Sequence, residues 1–144
     1  MNHQQLTEMW NEDSKLDATD LTTEGERVFT LFSKYLDLYM KERMIWKVLK
    51  LKQDELKLAK HVFYTQGPTK EDREKGWDYP ASGKIFKPDI GIWMEGDKEL
   101  QESDLKLEAS KVRVDGLAMI MDAIKQRTYI INKLIEREKF MSGM

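Results

Sequence analysis

The chain has 144 residues, 35% charged and 40% hydrophobic, with a formal net charge of −2, so one domain with a lean core is expected. It has no cysteine, which excludes disulfides, thiolate metal sites and a Cys nucleophile and fits a reducing compartment. No apolar run approaches the ~18 residues that span a bilayer, and the N-terminus lacks a basic-then-apolar signal, so a cytoplasmic protein with no membrane partner is expected.

The small net charge hides segregation. Residues 1–26 hold seven Asp/Glu against one Lys, and residues 125–139 hold five Lys/Arg against two Glu. Residues 1–20 read as an acidic N-terminal arm, either a frayed tail or a short amphipathic turn using Met9, Trp10 and Leu16 to dock on a neighbour. Asp17, Thr19 and Asp20 are competent N-caps for a helix beginning at Leu21.

Residues 21–66 read as one long helix. There is no proline, no glycine after Gly25, and a Gly67-Pro68 stop. With Val28 as position a, the seam runs Val28, Leu31, Tyr35, Leu38, Glu42, Ile45, Leu49, Lys52, Leu56, Ala59, Phe63. Nine of these eleven are apolar or aromatic. Steps of four and three from Arg43 give Lys47, Lys50, Asp54, Lys57, His61 and Tyr64, a basic stripe ~30 Å long. Residues 41–61 carry seven Lys/Arg against three Asp/Glu.

Residues 67–102 read as a short helix followed by an irregular insert. Thr69 to Asp72 resembles a capping box with Asp in place of Glu. Residues 76–97 hold four of the eight glycines and two of the three prolines, so a loop is expected. Ile85-Phe86 and Ile90 to Met94 are the places for two short strands. Trp77, Tyr79 and Trp93 are expected to cover the loop's own small core.

Ser103 or Asp104 is expected to cap a second long helix over 103–141. Its seam reads Leu107, Ser110, Val114, Leu117, Met121, Ile124, Thr128, Ile131 and Ile135. Leu105, Val112, Ile120, Ile130 and Leu134 widen the stripe, which implies more than one partner helix. Gly116 costs about 1 kcal/mol relative to Ala, a cost that close packing would explain. Met141 to Met144 should fray. The expected fold is mainly α, an antiparallel hairpin of two long amphipathic helices that completes its burial in an oligomer. Leu117, Met121, Ile124, Ile131, Leu134 and Ile135 are the expected oligomerisation residues.

No catalytic, metal or cofactor site is expected. Pro88-Asp89 with Asp97-Lys98 approaches a metal-dependent nuclease pattern, but the second acidic ligand would fall on Gly96. The two histidines, His3 and His61, have no partner at metal spacing. No phosphate-binding glycine loop precedes a helix. Nucleic-acid binding is the positive reading. Lysines neutralise phosphates, and aromatics beside them stack on unpaired bases. The candidates are Arg43, Lys47, Lys50, Lys57, Lys60, His61 and Tyr64. The bland reading is a solvated charged face on a coiled-coil scaffold or adaptor with no nucleic-acid role.

Several pieces resemble one family. They are Met121-Asp122-Ala123-Ile124-Lys125-Gln126-Arg127 followed by Ile130, Ile131 and Phe140; Ser33-Lys34-Tyr35-Leu36; Phe63-Tyr64-Thr65 with Gly67; and Asp97-Lys98. In order and spacing they are similar to the UvsY-type recombination mediators of T4-like bacteriophages, from about Asp17 to Gly143. The resemblance implies a non-enzymatic phage protein acting in the infected host cell in DNA recombination, repair and replication. It would bind single-stranded DNA, contact the single-strand-binding protein, and help a RecA-like recombinase load. It would act as a ring-like homo-oligomer of six or seven subunits held by the C-terminal region. The family's DNA-binding element falls on Leu56-Lys57-Leu58-Ala59-Lys60, with Lys57 offset by one residue and Lys60 in place of an Arg. A Lys offers a point charge and not a planar fork.

Overall fold

The computed structural model describes residues 1–143, and these form six helical segments with no strand among them. They are α1 (His3–Asp13), α2 (Leu21–Gln66), α3 (Lys70–Glu74), a 3-10 turn (Lys87–Asp89), α4 (Ile90–Glu95) and α5 (Lys98–Met141). The long helices α2 and α5 pack antiparallel, with the short helices between them. The chain divides into two compact units, Met1–Met44 with Ser110–Met144, and Ile45–Ala109.

In the first unit α1 is an ordered helix, not a frayed arm. The Asn2 side chain accepts from the Gln5 amide at 2.8 Å, and the Asn2 amide donates to Gln5 Oε1 at 2.9 Å. This reciprocal cap starts a helix too short to persist alone. Its apolar side supplies the rest, against its own chain and not a neighbour. Leu6 is buried with Val28, Leu31, Tyr35, Leu117, Ile120, Ile124 and Ile131, and Met9, Trp10 and Leu16 pack around them. The Trp10 and Tyr35 rings meet edge to face at 5.5 Å. Asp20 caps α2 by accepting from the Thr23 amide at 3.2 Å.

Arg127 of α5 ties these elements together. Its guanidinium donates to Ser14 O (2.9 Å), Lys15 O (3.4 Å) and Glu24 Oε2 (3.0 Å). Two backbone carbonyls of the α1–α2 link thus find a charged donor in the interior, where an unpaired carbonyl would be costly. Arg113 and Ser110 of α5 reach Glu42 of α2 in the same unit.

In the second unit Gly67 ends α2 at φ 87°, its amide bonded to Phe63 O at 3.0 Å. Thr69 and Asp72 form the expected reciprocal cap, at 3.2 and 3.0 Å. The insert folds over a small aromatic core of Phe63, Tyr64 and Ile90, with Trp77, Tyr79, Ile85 and Met94 around it. Phe63 meets Trp77 at 5.3 Å and Tyr79 at 5.4 Å, both edge to face. The two short strands are not formed. Pro88 sits in the first turn of the 3-10 segment and leads into α4, which places Ile90 and Met94, four apart, on one face against the aromatic core.

The second long helix starts at Lys98 and not at residue 103, because Asp97 is the cap: its Oδ1 accepts from the Leu100 amide at 3.0 Å. Of the tail expected to fray, Met141 is still helical and Met144 lies outside the described residues.

Candidate nucleic-acid interface

The heptad reading of α2 and its packed face separate along the helix. An α-helix drifts about 20° per heptad from a strict seven-residue repeat. By the second unit the seam position Ile45 is 48% exposed, while Gln53 and Lys60 are buried. Gln53 Nε2 donates to Asp104 Oδ1 of α5 at 3.1 Å.

That rotation sorts the candidate DNA-binding residues. Lys47, Lys57 and His61 are exposed, and Lys50 beside them is half-buried. They share the outward face of α2 in the second unit, as the three- and four-residue steps require. Lys50 reaches Asp54 at 2.8 Å. This hydrogen bond, with the positive charge of Lys50, Lys57 and Lys47 around it, holds the Asp54 carboxyl below its ordinary value. The acidic break is therefore a carboxylate inside a lysine field. Arg43 is exposed on α2 in the first unit, where its guanidinium donates to the Tyr39 hydroxyl at 3.4 Å.

Lys60 and Tyr64 are not on that face. Lys60 is 4% exposed, with its ammonium 3.0 Å from Asp97 and 3.2 Å from Glu99, and 4.0 Å from the centre of the Trp77 ring. The Tyr64 hydroxyl donates to Asp97 at 2.5 Å. Burial alone would raise the Asp97 carboxyl, but the bonds from Tyr64, the Leu100 amide and Lys60 outweigh it and hold the group below its ordinary value. The same burial and the Asp97 charge push the Tyr64 phenol up. Both residues build the end of the second unit. They lie 100° and 60° round the helix from Arg43 at 3.6 residues per turn, enough to turn them inward.

The expected oligomerisation residues are likewise occupied within the chain. Leu117, Ile124 and Ile131 are buried in the core of the first unit, and Met121, Leu134 and Ile135 pack against it. The apolar side chains left outside are others. In the first unit they include Val112 and Met119 on α5, and in the second Leu51, Leu58 and Val62 on α2. The excess width of the α5 stripe was the signal for such a face.

Among the described residues no group of three or more His, Cys, Asp or Glu could hold a metal. Among the same residues no helix is long and apolar enough to cross a membrane.

The sequence model of the family described as "Recombination, repair and ssDNA binding protein UvsY" matches residues 9–144. A crystal structure of the bacteriophage T4 recombination mediator protein UvsY, lattice type II, is similar over 99% of this chain and 98% of its own, with a TM-score of 0.83 and 20% identity. The lattice type IV structure of the same T4 protein covers 98% of this chain and 99% of its own, with a TM-score of 0.78 and 20% identity. No curated protein matches the sequence.

Proposed function

Because the chain belongs to the UvsY family of recombination, repair and single-stranded-DNA-binding proteins, we propose that it is a non-enzymatic phage recombination mediator that binds single-stranded DNA along the outward face of α2. Lys47, Lys50, Lys57 and His61 of the second unit are its contacts. The observation that carries the reading is that, among the described residues, none of these cations is ion-paired with α5; Lys50 pairs with Asp54 within the surface of α2 itself. Exposed lysines at helical spacing attract phosphates and release counterions whatever the base sequence.

A single row of lysines binds weakly. Repetition of the row around a homo-oligomer of six or seven subunits raises effective concentration along one strand. Such a surface would hold a strand in a form that a RecA-like recombinase can occupy in the infected host cell, in place of the single-strand-binding protein. The exposed apolar side chains Val112, Met119, Leu51, Leu58 and Val62 are the subunit contacts in this reading, since large exposed apolar groups at helical spacing ask for a partner.

The test is anisotropy of a labelled single-stranded oligonucleotide across a salt series. Lys47→Ala with Lys57→Ala should weaken binding and flatten log K against log salt by about 1.4, at ~0.7 per phosphate contact. Circular dichroism should be unchanged. An unaltered slope would sink the assignment of this face.

A further inference from the structure

The chemistry of the α2 face accounts for phosphates and says nothing about bases. Beside it, on the turn of α2 that also carries Lys57 and His61, an open pocket of about 610 Å³ is lined by Lys60, Tyr64, Lys75, Trp77, Trp93 and Lys98. We propose that this pocket holds one unpaired nucleobase of the bound strand, stacked on Trp93, with Lys75 and Lys98 on the flanking phosphates. The proposal rests on the single-stranded-DNA reading above.

Four observations carry it. The volume lies within the range of small-ligand sites, about 300–1,000 Å³. The inner wall is preformed, because Phe63, Tyr64 and Trp77 lock one another edge to face, at 4.9 and 5.3 Å. Trp93 differs from Trp77. Trp77 packs on the aromatic core and lies under two ammonium groups, Lys60 at 4.0 Å and Lys75 at 4.8 Å. Trp93 is 44% exposed and only tilts toward Tyr64 at 6.4 Å, which leaves a large π surface open.

The fourth observation is charge. Asp97 and Glu99 in the pocket are held by Lys60. Among the described residues Lys75 and Lys98 make no ion pair; the Lys75 ammonium lies over the Trp77 ring, and Asp78 is the third carboxylate of the lining. An open indole in one lining with two ammonium groups that make no ion pair fits a base with its phosphates, and base–aromatic stacking tolerates any base because every base has a π face. A duplex base is closed inside its stack and cannot enter, so the pocket also selects single strands.

The test compares an oligothymidylate with an abasic deoxyribose-phosphate strand of the same length, at one salt concentration. The intact protein should prefer the thymidylate by roughly tenfold, as stacking of one base implies. Trp93→Ala should abolish most of that preference and leave abasic binding unchanged. Trp93→Phe should keep part of it. Lys75→Ala with Lys98→Ala should weaken both ligands alike. Equal affinity of the intact protein for the two strands, or a preference that survives Trp93→Ala, overturns the proposal and leaves phosphate binding by α2 standing. Failure of the intact protein to bind either strand removes the DNA reading and this one with it.

Discussion

Lys60 brings its ammonium into the interior of the second unit, where Asp97, Glu99 and the Trp77 ring surround it. A lysine 4% exposed is tolerable only with partners, since an unpaired buried charge is strongly disfavoured. Lys60→Ala leaves Asp97 buried with only Tyr64 and the Leu100 amide. It should cost about 3 kcal/mol, at the low end of the range for a broken buried pair, and lower Tm by roughly 10 °C. DNA salt dependence should stay unchanged. A near-neutral Tm with a flatter salt slope would return Lys60 to the DNA face. The pH dependence has a defined sign. Asp97 is held below the unfolded aspartate value of about 3.9. Its contribution is therefore complete above that value and is lost as pH falls through the lower folded value. Asp97→Asn should flatten the fall of Tm between about pH 5 and pH 2, measured by circular dichroism.

At the scale of elements, α1 and α5 meet at Gly116. A Cβ added there would lie 3.9 Å from the nearest atom, Leu6 Cδ2, an ordinary van der Waals distance. Gly116 is thus not required for close packing, contrary to the expectation from the sequence. Gly116→Ala removes the helix penalty of glycine and should stabilise the protein by about 1 kcal/mol, measured as a rightward shift of the urea midpoint with unchanged slope. A destabilised variant would mean that α1 is seated more tightly on α5 than this distance implies. The resemblance motif ending in Arg127 takes a structural meaning here: its last residue holds the carbonyls of the α1–α2 link.

For the whole molecule, the proposed homo-oligomer raises the question of which apolar surface meets another subunit. Ile124 is 0% exposed and Met119, five residues earlier on α5, is 72% exposed. Their substitution should have opposite signatures. Met119→Glu should dissociate the assembly in sedimentation velocity while the helical circular dichroism remains. Ile124→Ala should cost about 2–5 kcal/mol of protomer stability through the cavity it leaves. Intact oligomers in Met119→Glu would exclude this part of α5 as a contact. Loss of assembly should also weaken binding to a long single strand more than to a short one, since multiplicity acts only where several subunits reach one strand.

The long helices, their caps at Asp20, Gly67 and Thr69, the absence of cysteine chemistry and the family resemblance were all legible in the amino-acid order. Each depends on local spacing or on residue type, and local spacing survives folding. Lys47, Lys50, Lys57 and His61 were legible for the same reason, because three- and four-residue steps define a face wherever the helix lies. Which way that face points was settled by packing. A seven-residue repeat and a 3.6-residue helix part company over two dozen residues, so Lys60 and Tyr64 turned inward and Ile45 turned out. Packing settled α1 and α4 too, since helices this short form only when Leu6 and Ile90 have a core to enter. Asp97 became a helix cap and a buried partner at once because folding brings Lys60 and Tyr64, more than thirty residues away, onto its Oδ2 while its Oδ1 accepts from the Leu100 amide.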